Sequence, residues 1–349
     1  MKRYVLSTHL DNDPNAGTKS RRDIEDIVLK EGYTRLVLRK RFLTGRFKIA
    51  RQVCILAVDL LRVLVCIERH SILLINVPLP FAKWQTPIVA GYFKFLRSVK
   101  QIKIAFSVID IDSFRRNDKK QEGEWNILRT GSCFILHTKP MKEVFVKQGF
   151  DAGKVVLNHL FDYISEFEPH GKHRALTNQV VFAGNLDPDK CGFLSNLNDV
   201  GNRVIFNLYG EPAKQYDSSS TVRYMGSASP EEIVGIIDGS FGLVWDGDSI
   251  DTCSSAIGEY LRINAPHKTS LYLAAGLPVI IWKEAAMAEL IVKENLGFTV
   301  GSLREIGAIV DTMTEGTYNQ MRDNVLRYAP LLKEGYFFKE ALKKVYEMI

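Results

Sequence analysis

The run Asn264-Ala-Pro-His-Lys-Thr-Ser-Leu-Tyr-Leu-Ala-Ala-Gly-Leu-Pro-Val-Ile-Ile-Trp282 restricts more than any other stretch what this chain can fold into. It reads as a loop, a helix of about three turns, a sharp stop and a buried strand. Pro266 suits a first helical position, where a missing N–H loses no intrahelical partner. Gly276 stands where a helix end favours a left-handed residue, and Pro278 cannot prolong the helix. Val279–Trp282 is short and wholly apolar, as in a strand covered on both faces. Lys268, beside His267, falls in the first turn, at the positive end of the helix dipole. A cation there is unfavourable by itself, whereas a cation and free N–H groups aimed at one point make a site for phosphate. A solvated surface lysine is the plain alternative.

The rest of the chain repeats this strand-and-helix alternation. Its 349 residues, 46% hydrophobic and 25% charged, suit roughly two globular domains. A net charge of +6 fits an anionic ligand or an acidic membrane surface and is too small to imply nucleic acid, for which no motif is present. Cys54, Cys66, Cys133, Cys191 and Cys253 are scattered without metal-like spacing, which suggests reduced, buried thiols and a cytoplasmic setting. Met1–Ser7 reads as a strand rather than a signal-peptide core, and no apolar run reaches the ~18 residues of a spanning helix.

The order of elements implies an α/β protein with two doubly wound, Rossmann-like halves. Expected strands at residues 3–7, 34–38, 71–77, 103–109, 133–137 and 154–157 form the first, residues 1–165. A polar linker, residues 166–178, contains His170, Gly171 and His173. The second half, residues 179–328, has expected strands at residues 180–183, 203–208, 241–245, 279–282 and 297–300. Ser229-Pro-Glu-Glu232 and Ser302-Leu-Arg-Glu305 read as capping boxes. Two closing helices, split at Ala329-Pro330, leave residues 329–349 as a helical tail. The basic stretch Arg39–Arg51, alternating with Phe42, Leu43, Phe47 and Ile49, leads into an apolar helix. It reads as a solvated loop or as a peripheral contact with an anionic membrane; a homo-oligomer also remains open.

In open parallel sheets, ligands sit beyond the carboxyl ends of the strands. Those ends in the second half carry Gly184 and Asn185, Tyr209 and Gly210, and Asp246 to Asp248. Each glycine alone could be only a turn; together with Lys268 they outline a nucleotide site. No G-x-G-x-x-G follows a strand, and Gly149-Phe-Asp-Ala-Gly153-Lys154 lacks both the spacing of a P-loop and its Ser or Thr. No metal motif appears, and His137 and His159 read as structural, so no metal is expected. A carboxylate at the end of a first-half strand could serve as general base. Asp110 is the best placed, with Asp112 and Glu124 as rivals, and its plain alternative is a turn cap.

Together these residues resemble the two-domain GT-B glycosyltransferases. Within them they resemble the bacterial group that holds the streptococcal glucosyltransferase of serine-rich adhesins and the β-1,6-galactofuranosyltransferases of surface polysaccharides. The resemblance rests on Asn264–Ile281, on Phe241-Gly-Leu-Val-Trp-Asp246, on Asn295-Leu-Gly-Phe-Thr-Val300, on Phe182-Ala-Gly-Asn185 and on Pro330-Leu-Leu-Lys-Glu-Gly-Tyr-Phe-Phe338. It implies two domains facing a cleft, with C-terminal helices packing back on the first, and a UDP-sugar donor substrate without a further cofactor. Lys268 would meet the diphosphate, with Asn264, His267, Thr269 and Asp246 around it. Gly184, Asn185 and Tyr209 would line the nucleotide, and the loop Gly17-Thr18-Lys19 would close over the donor. Relatives can carry His-Asp where this chain has Ile109-Asp110. His267 tilts the resemblance toward the galactofuranosyl members, with a glycan as acceptor. A glucosyltransferase acting on glycoprotein or glycolipid, and a non-catalytic sugar-nucleotide-binding partner subunit, are the alternatives.

Overall fold

Short apolar runs whose side chains are covered on both faces pair most readily in parallel, and this chain builds two parallel sheets of six strands each. The structure, a computed structural model, describes residues 1–8, 16–39, 47–81, 83–115, 122–169, 175–211 and 219–349. The chain begins with β1 (Arg3–Ser7), α1 (Ala16–Lys30), β2 (Thr34–Val37), α2 (Lys48–Cys66), β3 (Ile72–Val77) and α3 (Thr86–Lys100). Next come β4 (Lys103–Val108), α4 (Asp112–Arg115), α5 (Glu122–Leu128), β5 (Cys133–Leu136), α6 (Lys139–Lys147) and β6 (Val155–Leu157). The second half supplies β7 (Gln179–Asn185), α7 (Pro188–Cys191), β8 (Ile205–Glu211), β9 (Val222–Tyr224), α8 (Ile233–Ile236) and β10 (Phe241–Val244). It continues through α9 (Ser255–Glu259), α10 (His267–Ala274), β11 (Val279–Trp282), α11 (Ala288–Lys293) and β12 (Gly297–Val300). The chain closes with α12 (Ile306–Thr312), α13 (Glu315–Lys333) and α14 (Tyr336–Met348).

Two compact units result: Met1–His137, Lys142–Asn158 and Phe338–Ile349 form the first, Thr138–Met141 and His159–Phe337 the second. In the first the strand order is β2-β1-β3-β4-β5-β6. The chain therefore changes direction across the sheet after β2, so right-handed crossovers place α1 on one face and α2 and α3 together on the other. The Tyr92 hydroxyl of α3 donates to the Leu60 carbonyl of α2 at 2.7 Å. Phe93, Phe106, Phe134 and Phe145 interlock in the core beneath. The end of α14 belongs to this unit, its Tyr346 hydroxyl 3.0 Å from that of Tyr33 and 3.3 Å from Arg3 Nη1.

In the second unit the order is β12-β11-β10-β7-β8-β9. β7, β8 and β9 run outward one way and β10, β11 and β12 the other, so the switch point lies between β7 and β10. A crevice beyond the carboxyl ends of such a pair is the usual ligand position of an open α/β sheet.

The helix of the opening stretch is shorter than its pattern suggested. Pro266, at φ −64° and ψ 131°, is its N-cap rather than its first residue, and only eight residues are helical. Gly276 follows at φ 73°, the left-handed stop its position demanded. Pro330 does not divide the closing helices, because α13 runs through it to Lys333. It sits in the last turn, and the carbonyl it leaves over belongs to Leu326, on an exposed side where water can bond it. The break comes at Gly335, φ 75°. β9 was not foreseen, being three residues at a sheet edge.

Candidate functional site

The carboxyl ends of β7 and β10 are joined by a lysine that reaches across them. Lys268 is the second residue of α10, a helix whose residues from Thr269 to Ala274 are all buried. Its Nζ lies 2.7 Å from Asp246 Oδ1, 3.2 Å from the Trp245 carbonyl oxygen and 4.3 Å from the ring centre of Phe182. Both charged side chains are nearly covered, 11% and 9% exposed. A Cβ on Gly184 would stand 3.5 Å from Lys268 Cε. Gly184 and Gly210 are register partners at the ends of β7 and β8. The Cys191 thiol donates to the Asn185 carbonyl at 3.2 Å and lies 3.8 Å from Asp246 Oδ1.

Local packing fixes this helix. The Tyr272 hydroxyl accepts from Ala183 N at 2.9 Å, and its ring lies so close over β10 that a Cβ on Gly242 would come within 2.1 Å of it. The Ser270 hydroxyl donates to the Phe161 carbonyl at 2.6 Å. The His267 ring stacks on Tyr163, centroids 4.9 Å apart, and meets Phe161 edge-on. Asn264 Oδ1 and Thr269 Oγ1 are buried at the start of the helix with no hydrogen-bond partner among the described residues. Such groups ordinarily have one.

Burial alone would lower the Lys268 pKa, but the facing Asp246 carboxylate outweighs it and the ammonium is held above its usual range. Burial likewise opposes ionisation of Asp246; Lys268 and then Lys190 reverse this and hold the carboxyl below its usual range. The depressed Asp246 therefore contributes stability above its ordinary value of 3.8, lost as pH falls through the folded value. Lys268, raised, contributes stability below its ordinary value of 10.5, lost as pH rises through the folded value. The melting temperature of the protein is thus expected to fall more steeply below about pH 4 than that of an Asp246→Asn/Lys268→Met variant. Parallel acid slopes would contradict the pair.

The structure brings Gly184, Asp246 and Lys268 to one point of the second unit, with Thr269 next to Lys268 in α10 and Asn264 and His267 on the approach to it. Asn185 is exposed beside Gly184, its side-chain oxygen accepting from Asp187 N at 2.8 Å. Tyr209 is buried, and its hydroxyl accepts from Asp238 N at 3.0 Å, which ties it to the backbone at 236–238. Gly17, Thr18 and Lys19 belong to the first unit and are not a loop. They lie in the first turns of α1, because Lys19 and Asp23, one turn apart, form a buried ion pair at 2.5 Å. Residues 9–15, expected as the rest of that loop, fall outside the described residues.

Asp110 also belongs to the first unit, just beyond β4, and its Oδ2 accepts from Arg115 Nη1 at 3.1 Å. Its rival Glu124 accepts from the backbone N–H of Asp112 (3.0 Å) and Ser113 (3.2 Å), capping α4. Burial pushes Glu124 above the usual carboxyl range despite those two bonds. Arg21 was not singled out from the sequence. Its guanidinium donates to the Asn76 carbonyl at 3.2 Å and to that of Pro78. Burial lowers its pKa while Asp110 and Asp112 partly restore it. The available signal was the run Lys19-Ser-Arg-Arg22 at a helix start, where cations are locally unfavourable. No group of three metal-ligating side chains occurs among the described residues.

The chain is similar in sequence and fold to known proteins. Models of the N-terminal and C-terminal domains of glucosyltransferase 3-like proteins match residues 2–160 and 180–345. The β-1,6-galactofuranosyltransferase WbbI of Escherichia coli (strain K12) is 32% identical over 338 residues, 95% of this chain and 94% of that protein. Glucosyltransferase 3 of Streptococcus gordonii is 31% identical over 209 residues, 60% of this chain and 59% of that protein. HepE of Anabaena, solved with UDP and glucose, has a TM-score of 0.61 at 11% identity over 98% of this chain and 99% of that one. The lipopolysaccharide outer core galactosyltransferase WaaB gives 0.60 at 11% identity, with 98% and 99% covered. Two Rossmann-like domains of this kind make the GT-B fold, and the chain is a glycosyltransferase. It belongs to the glucosyltransferase 3-like family.

Proposed function

We propose that the chain transfers galactofuranose from UDP-galactofuranose to a glycan acceptor, and that the start of α10 holds the donor diphosphate. The observation that carries the reading is the buried Lys268–Asp246 pair at the switch point of the second sheet. An ammonium has three N–H bonds. Two are directed to Asp246 and the Trp245 carbonyl, which fix the side chain; the third serves a phosphate oxygen. The N–H groups of His267 and Lys268 and the hydroxyl of Thr269 add donors beside it. As the sugar–phosphate bond breaks, negative charge grows on the departing UDP, and a fixed cation in a dry site stabilises it without reorganising. That is the work a metal would otherwise do.

The acceptor hydroxyl attacks the anomeric carbon and must lose its proton. Asp110 is our general base, since both oxygens of Glu124 are taken up by backbone N–H groups. The ion pair with Arg115 orients Asp110. Likeness to WbbI along nearly the whole chain supports galactofuranose, and the match to glucosyltransferase 3 makes UDP-glucose the second donor to try.

The purified chain is to be screened with UDP-sugars for thermal stabilisation and for acceptor-dependent UDP release. UDP-galactofuranose at a hundred times its Kd is expected to add about 2.7 kcal/mol of stability and to be turned over. Asp110→Asn should bind it as well but lose turnover by at least about 10²-fold. Turnover of another UDP-sugar alone would refute the donor assignment, and full activity in Asp110→Asn would remove that residue as base.

A further inference from the structure

We propose that the first unit rests on an anionic lipid surface through the outer sides of α2 and α3. A helix that is apolar all round is normally enclosed in a core. In α2, Leu60 and Val63 are buried toward the sheet, yet the opposite side carries Val58, Leu61 and Val65, the last two 59% and 73% exposed. On α3, which shares that face of the sheet, Ile88, Phe95 and Val99 form one exposed stripe at spacings of seven and four residues. The Tyr92–Leu60 hydrogen bond joins the two helices on this face of the sheet. Trp84 and Phe47, both exposed, stand at the helix starts. Aromatic side chains of this kind favour the boundary between water and acyl chains.

Charge selects the occupant. Residues 48–66 and 83–100 contain seven lysines and arginines and a single acid, Asp59. That acid is buried and held by Arg39 at 2.6 Å. Arg51 and Arg62 border the bare side of α2, and both are exposed. A second copy of the chain docked face to face would set these cations against their own kind, whereas a bilayer of anionic lipid attracts them and accepts the apolar stripe together. Among the described residues no helix is long and apolar enough to cross a membrane, so the helices lie along the surface.

The test uses the full chain and vesicles of phosphatidylcholine, with or without phosphatidylglycerol, in a sedimentation assay that needs neither donor nor acceptor. Its failure would therefore leave the sugar-transfer reading intact. The protein is expected to pellet with the phosphatidylglycerol vesicles alone and to be released by raised salt. Leu61→Asp/Val65→Asp/Phe95→Asp should abolish pelleting, and the milder Arg51→Gln/Arg62→Gln should weaken it by on the order of tenfold. Both variants should keep the wild-type melting temperature and affinity for UDP. Equal pelleting of wild type and Arg51→Gln/Arg62→Gln, or none by the wild type, would overturn the proposal. So would a wild-type dimer that becomes monomeric in the triple variant, since the face would then join two copies of the chain.

Discussion

Lys268→Ala is expected to slow donor-dependent UDP release by roughly 10²–10³-fold, the usual result of removing one preorganised donor from a developing anion. The loss should appear in kcat as well as in KM, because charge on the leaving diphosphate grows as the bond breaks. The substitution has a second effect. It strands Asp246 in a site where that side chain is 9% exposed, and breaking a buried pair in this way costs about 3–5 kcal/mol. Lys268→Met/Asp246→Asn separates the two, since it removes both charges while retaining most of the volume. It should recover most of the stability and none of the activity. Lys268→Arg is not expected to substitute, because a planar fork must fit where the ammonium now lies 4.3 Å from the centre of the Phe182 ring and the end of the stem passes close to Gly184. Wild-type turnover in Lys268→Ala would remove the lysine from the mechanism.

Gly210→Ala should be among the most damaging single changes in the second unit. Gly210 adopts φ 142°, and a Cβ there would sit 1.8 Å from the carbonyl oxygen of Gly184 on the neighbouring strand. Backbone cannot turn aside as a side-chain tip can. The ends of β7 and β8 would have to part, at an expected cost of about 4 kcal/mol or more and a melting temperature lower by about 10 °C. Gly91→Ala is the contrasting case. Gly91 is an exposed residue of α3 with nothing within 4 Å of its added carbon, so alanine should raise helix stability by about 0.5–1 kcal/mol. Scanning calorimetry of the two variants checks both signs, and an undisturbed Gly210→Ala would refute the close approach.

The parts of the fold legible in the sequence were those whose cause is local. Val279–Trp282 and Ile72–Ile75 announced buried strands by unbroken apolar character, and Gly276 announced its stop by the backbone it needs. Ser302 and Glu305 form the reciprocal cap their spacing implied. Ser229 and Glu232 also exchange bonds, though only Ile233–Ile236 follows as helix. Less legible was anything that depends on a partner far along the chain. Lys268 stood out as an awkward cation, but its release from awkwardness by Asp246 joins two elements 22 residues apart. Tyr209 stood out at a strand end, but its anchoring bond reaches a loop 29 residues on. Lys19 was the opposite case: Asp23, four residues later, was a local signal for an ion pair within a helix. The apolar pattern of α2 gave no hint of which side stays bare, since periodicity records hydrophobicity and not coverage.

The claim at the centre of this account is that the buried lysine at the start of α10 binds the donor's diphosphate. Calorimetric titration of UDP into the wild type and into Lys268→Met/Asp246→Asn tests it most directly, because the variant keeps the packing and removes the cation. We expect the wild type to bind and the variant to bind at least about tenfold more weakly, roughly 1.4 kcal/mol or more. Equal affinity for UDP in the two proteins would contradict it.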